Sequence, residues 1–109
     1  MSNIYLETTD HEQNLLVLAL NILLNNRQLA FDTIDCIFIS NHIPSIIQKL
    51  SDKTTLTNVD FYIVSVALEY IHGALDNLTP IANADRNKLL PHRSAYEQLY
   101  KKYCFTNSV

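Results

Sequence analysis

Glu69, His72 and Asp76 are the residues in this sequence best placed by type and spacing to do chemistry. At i, i+3 and i+7 they fall on one face of a helix. Glu-x-x-His is the inward-facing element of carboxylate-bridged di-metal bundles, but such sites take two copies of it and two further glutamates. Here there is one copy, and Glu7, Glu12 and Glu97 have no histidine three residues on. A single-ion site would need one more donor, with His11, Glu12 and His92 as the candidates. The plainer reading makes Glu69, His72 and Asp76 the solvated edge of a mostly buried helix. No metal or other cofactor is expected.

Other reactive groups point the same way. A nucleophile needs a positioned base beside it, and Cys36 sits in the apolar run Cys36–Ile39, where a thiolate is disfavoured. Cys104 lies near the C-terminal end of the sequence. The two cysteines have no metal spacing and read as free thiols of a reducing cytoplasm, a Cys36–Cys104 disulfide being the alternative in an exported protein. His42 and His92 have no neighbouring acid–base partner in sequence, and a single glycine rules out a glycine-rich phosphate loop. No catalytic residue is assigned, and enzyme activity is not expected. A last stripe, Tyr96, Leu99, Tyr100 and Tyr103, has two readings. Tyrosines at helical spacing cover cores, and they also dominate interfaces; the stripe is taken as the candidate interface.

These residues are carried by helices. Two segments, about 10–26 and 58–77, are apolar on nearly every side. In the first, Leu15 to Leu20 and Ile22 to Leu24 are broken only by Asn21, and Asn14, Asn21, Asn25 and Gln28 form one narrow polar line. The second has the same line in Asn58, Ser65, Glu69, His72 and Asp76. Each begins with a threonine and an acid three residues later, Thr9/Glu12 and Thr57/Asp60, the spacing of a capping box. Residues 32–43 are ambiguous between helix, with Asp32 as its cap, and a short β-branched strand; helix is preferred because no second strand is in sight. Pro44 is expected to end or kink it, with a further short helix over Ile46–Leu50. Thr79-Pro80 is expected to start the next helix, and Pro91 to start or kink the last. Gly73 lies inside the second apolar helix, where it permits a close approach. Residues 1–8 are expected to be extended or frayed, and 106–109 to fray.

The chain of 109 residues is read as one all-α domain, a small bundle of four to six helices with the two apolar ones at its centre. A formal charge of −3 and scattered Lys and Arg argue against nucleic acid. A helix-turn-helix over Ile34–Leu50 would lack the usual turn glycine and offer only Gln48 and Lys49 for recognition. Neither apolar helix supplies the ~20 apolar residues of a membrane span, and residues 1–7 do not read as a signal peptide, so the cytoplasm is expected. A helix apolar all round needs neighbours all round. So short a chain is expected to leave apolar surface over, to be covered by another protein or a second copy. The expectation is a self-associating interaction module: a small adaptor, inhibitor, immunity-type or regulatory protein. A metal- or small-ligand-binding bundle using the Glu69/His72/Asp76 face and a transcriptional regulator or antirepressor are the alternatives.

Overall fold

Both threonine boxes form and start the two central helices. A computed structural model describes residues 4–30 and 33–105, and in it the first helix, α1, runs Asp10–Asn25. The Glu12 amide donates to Thr9 Oγ1 at 3.1 Å and the Thr9 amide donates to Glu12 Oε1 at 3.0 Å. The helix Asn58–Leu75, labelled α4 by its place in the chain, repeats this with Thr57 and Asp60. Each cap side chain is worth about 1 kcal/mol. The polar lines lie as expected: Asn14, Asn21, Asn25, Gln28, Asn58, Glu69 and Asp76 are exposed, and Ser65 and His72 half-buried.

Between them come a single turn, α2 (Arg27–Ala30), and a long helix, α3 (Thr33–Ser51). The ambiguity over residues 32–43 resolves as helix from Thr33; Asp32 lies outside the described residues. Pro44 neither ends nor breaks α3. Ile39, Ile43, Ile46 and Leu50, at steps of four, three and four, form one buried stripe across the proline. Pro44 itself is on the solvent side, so the helix forfeits one amide donor where water is at hand. Continuity of the buried stripe wins. The unbroken helix also removes the turn that a helix-turn-helix reading requires.

The second half is α5 (Asn83–Leu89), a 3₁₀ turn (Leu90–His92), α6 (Arg93–Tyr100) and a π-helical turn (Lys101–Phe105). Pro91 falls in the 3₁₀ turn and bends the path into α6. Thr79-Pro80 does not start α5. The Pro80 carbonyl instead accepts the Tyr70 hydroxyl, and the Ala82 amide at the helix start is held by Asn26 Oδ1 at 2.9 Å. Asn26 is buried, and its Nδ2 donates to the Ile22 carbonyl and to Asp85 Oδ2, both at 2.8 Å. One amide thus closes the end of α1 onto the start of α5.

Two helices stop in the same way. After α3, the Lys53 amide donates to the Leu50 carbonyl and the Thr54 amide to that of Lys49, with Lys53 at φ 57°. After α4, Asn77 at φ 61° and Leu78 make the equivalent bonds to Ala74 and Gly73. Both are Schellman stops with a non-glycine residue in the left-handed position.

The core lies between α1, α3, α4 and α6. Here the structure corrects the expectation of surplus apolar surface. On α1, Leu15, Leu16, Ala19, Leu20, Ile22 and Leu23 are buried and Val17, Leu18 and Leu24 half-buried. On α4 only Val59 and Tyr62 among the apolar residues are exposed. The chain covers its own central helices, because α3 is one long helix rather than two short ones. Tyr96, Leu99 and Tyr103 seal the other side. Of the segment read as extended or frayed, the described part is tied down: Ile4 and Leu56 exchange two backbone hydrogen bonds of 2.7 Å, and Lys102 Nζ donates to the Glu7 carbonyl at 3.2 Å. Residues 1–3 and 106–109 lie outside the described residues. Among the described residues no helix is long and apolar enough to cross a membrane.

Candidate functional site

The end of α4 and the start of α6 bring charged and aromatic side chains together. His72, Leu75 and Asp76 from α4 and its cap face Arg93, Tyr96 and Glu97 from α6 around a cavity of about 100 Å³. The His72 ring lies flat on the Tyr100 ring, centroids 4.0 Å apart and planes 1° from parallel. His72 Nε2 is 3.7 Å from Asp76 Oδ2, while Asp76 Oδ1 takes a 2.6 Å bond from Arg93. A second Arg93 nitrogen donates to the Leu75 carbonyl at 2.9 Å. Arg86 caps the same helix end through the Ala74 and Leu75 carbonyls and the Asn77 side chain. The two arginines therefore supply positive charge where the α4 dipole is negative. The charges at this cavity are spent largely on each other and on helix capping.

Of the three candidate metal ligands, His72 and Asp76 are brought together and Glu69 is not. The charge of Glu69 acts instead on the Cys104 thiol. Among the described residues no three His, Cys, Asp or Glu side chains are grouped to hold an ion. The Arg93 guanidinium is bonded to the other Asp76 oxygen, Oδ1, and brings a positive charge beside the pair. Of the proposed extra donors, His11 and His92 do approach each other, with ring centroids 6.1 Å apart. Glu12 is engaged in the Thr9 box and sits 3.5 Å from Lys102, and the Thr9 amide holds its carboxyl below the usual range.

The tyrosine stripe is core rather than open interface. Tyr96, Leu99 and Tyr103 are buried by their own chain. Tyr96 donates its hydroxyl to the Leu15 carbonyl at 2.6 Å, and burial pushes its ionisation far upward. Tyr100 is half-buried under His72. α6 packs on α4 through this face. Cys36 and Cys104 are free thiols. Burial, with the Glu69 charge, pushes the Cys104 thiol up to about 11, and its Sγ lies 3.7 Å from the Ser65 carbonyl. At neutral pH it is not a thiolate nucleophile.

What sequence reasoning missed is the outer side of α3 and its neighbour α2. Ile37 is 59% exposed, Phe38 44% and Leu29 of α2 55%. Ile37, Asn41, Pro44, Ser45 and Gln48 form one exposed line along α3. The Phe38 ring packs on His42, centroids 4.6 Å apart, and the Phe38 carbonyl lies 2.9 Å from His42 Nδ1. The signal was legible: residues 36–48 contain no Asp, Glu, Lys or Arg, on a helix whose inward stripe accounts for only some of its isoleucines.

Comparison with known proteins finds no family description that matches this chain, no matching curated protein and no matching solved structure.

Proposed function

We propose that this chain is a non-enzymatic protein–protein interaction module of the cytoplasm, in the class of small adaptors, inhibitors, immunity-type or regulatory proteins. The observation that carries the reading is the outer face of α3. Ile37 and Phe38, adjacent on α3, stay in water although the same helix buries Ile39, Ile43, Ile46 and Leu50. Clustered apolar exposure on a folded surface marks interaction sites far more than scattered single residues do.

Site-specific photo-cross-linking in the native host tests this. A photoreactive residue at position 37 or 41 should yield a discrete protein adduct, while one at Gln98, exposed on α6 among charged neighbours, should not. Absence of any adduct from α3, or equal labelling from all three positions, would overturn the reading.

A further inference from the structure

We propose that His11 and His92 together hold one divalent transition-metal ion of the zinc type, a clip between the first turn of α1 and the turn that enters α6. The chain has four histidines, and two of them are committed elsewhere. His42 Nδ1 lies 2.9 Å from the Phe38 carbonyl, and His72 is stacked on Tyr100 beside Asp76. The other two, far apart in sequence, are the pair that meets, with ring centroids 6.1 Å apart. Among the described residues no hydrogen bond or ion pair holds either ring. Their planes are 59° apart, neither stacked nor perpendicular, an arrangement that ring packing does not favour.

The separation suits a shared ion. An ion bonded to an imidazole nitrogen at about 2.0–2.1 Å lies about 3 Å from the ring centroid. Two rings on one ion then have centroids about 5 Å apart at a tetrahedral angle and about 6.4 Å apart when directly opposed. The observed distance falls within that span, and the exposed His11 side chain can turn to close the remainder. The frame behind the pair is firm. His11 stands one turn before Leu15 and His92 one turn before Tyr96, and the buried Tyr96 hydroxyl bonds the Leu15 carbonyl at 2.6 Å. Pro91, in the 3₁₀ turn just before His92, restricts the backbone there. Two imidazoles select zinc, nickel or copper over magnesium and calcium, which take oxygen ligands. Water fills the remaining positions. Two protein ligands are fewer than structural or catalytic zinc sites use, and the positive end of the α1 dipole opposes a cation. The dissociation constant is accordingly on the order of 1–100 µM, and the ion reinforces the contact between α1 and α6 instead of creating it.

Titration of the purified full chain with zinc chloride, followed by the ring carbon–proton NMR signals of the four histidines, tests this. The signals of His11 and His92 should move together to a one-to-one endpoint while those of His42 and His72 stay in place, and magnesium chloride should move none. His11→Gln and His92→Gln should each weaken zinc binding at least about tenfold, because one ring alone cannot chelate. His42→Gln should leave it unchanged. Zinc should raise the melting temperature of the wild type and of His42→Gln, and have no such effect on either clip variant. The proposal is overturned if neither ring responds below about 1 mM zinc, or if only one of them does. It is equally overturned if zinc moves His72 or is taken up by the cysteines with His11 and His92 unmoved, or if the single variants bind as the wild type does. The interaction reading of α3 stands or falls separately, on its own cross-linking result.

Discussion

Replacing Gly73 with alanine should destabilise this protein, against the usual rule for glycine inside a helix. On propensity alone the substitution gains about 1 kcal/mol. A Cβ built at Gly73, however, would lie 2.1 Å from Thr79 Oγ1, far inside contact distance, while Thr79 Cβ would be an ordinary neighbour at 3.5 Å. The cause is the stop after α4. The Leu78 amide folds back onto the Gly73 carbonyl at 2.8 Å and lays Thr79 over the helix. Overpacking of this kind costs about 1–3 kcal/mol, so the net expectation is a loss of about 1 kcal/mol, seen as a fall in melting temperature of about 4–8 °C. The decisive comparison is the double variant. With Thr79→Ala the obstructing oxygen is gone, the remaining contact is normal, and Gly73→Ala should then stabilise by up to ~1 kcal/mol. Thermal or urea unfolding of the four proteins of the cycle measures the coupling directly. A stabilising Gly73→Ala in the wild-type background, or the same effect in both backgrounds, would refute the placement of Thr79.

Two further outcomes are expected. Burial alone would raise the Asp60 carboxyl, but Lys49 at 2.6 Å and the Thr57 amide and hydroxyl outweigh it and hold its pKa below the ordinary value. The folded state therefore favours the charged form, so this stabilisation is complete above about pH 4 and lost as pH falls through the lowered folded pKa. Asp60→Asn should cost roughly 1–3 kcal/mol at pH 7, with the difference from wild type narrowing in unfolding titrations below about pH 4. Lys53 sits at φ 57° and its ion pair with Asp10 is solvent-exposed. Lys53→Gly should thus relieve backbone strain and raise unfolding free energy by about 0.5–1 kcal/mol, measured by urea titration.

The central helices were legible because their signals are local. A threonine, an acid three residues on and a run of Leu, Ile and Val specify α1 and α4 almost to the residue. Pro44 and Thr79-Pro80 misled for a shared reason. Whether proline breaks a helix depends on which side of it faces the core, and whether a threonine caps depends on where the preceding chain turns. Neither is written in the neighbouring residues. The tyrosine stripe was recognised, but only the packing of α6 on α4 decides that it faces inward. His72 and Asp76 were found through helical spacing, while Arg93, which commits Asp76 to a structural role, is distant in sequence and joined only by the fold. The α3 face was readable from its lack of charge.

The hydroxyl of Tyr96 reaching the backbone of Leu15 joins segments 81 residues apart, and that distance has a consequence during synthesis. A ribosome adding about 5–20 residues per second finishes α1 long before its cover is complete. Some 50 residues separate the ends of α1 and α4, a wait of roughly 3–10 s. Several seconds more pass before α6 closes the remaining side. For that interval α3 is the one long helix at hand to cover the Leu15–Leu24 segment, and the sides that α4 and α6 seal stay open on the nascent chain. Growing cells should consequently handle this protein as a chaperone client, and slowing translation before α6 emerges should lower its soluble yield more than the finished fold's stability would suggest.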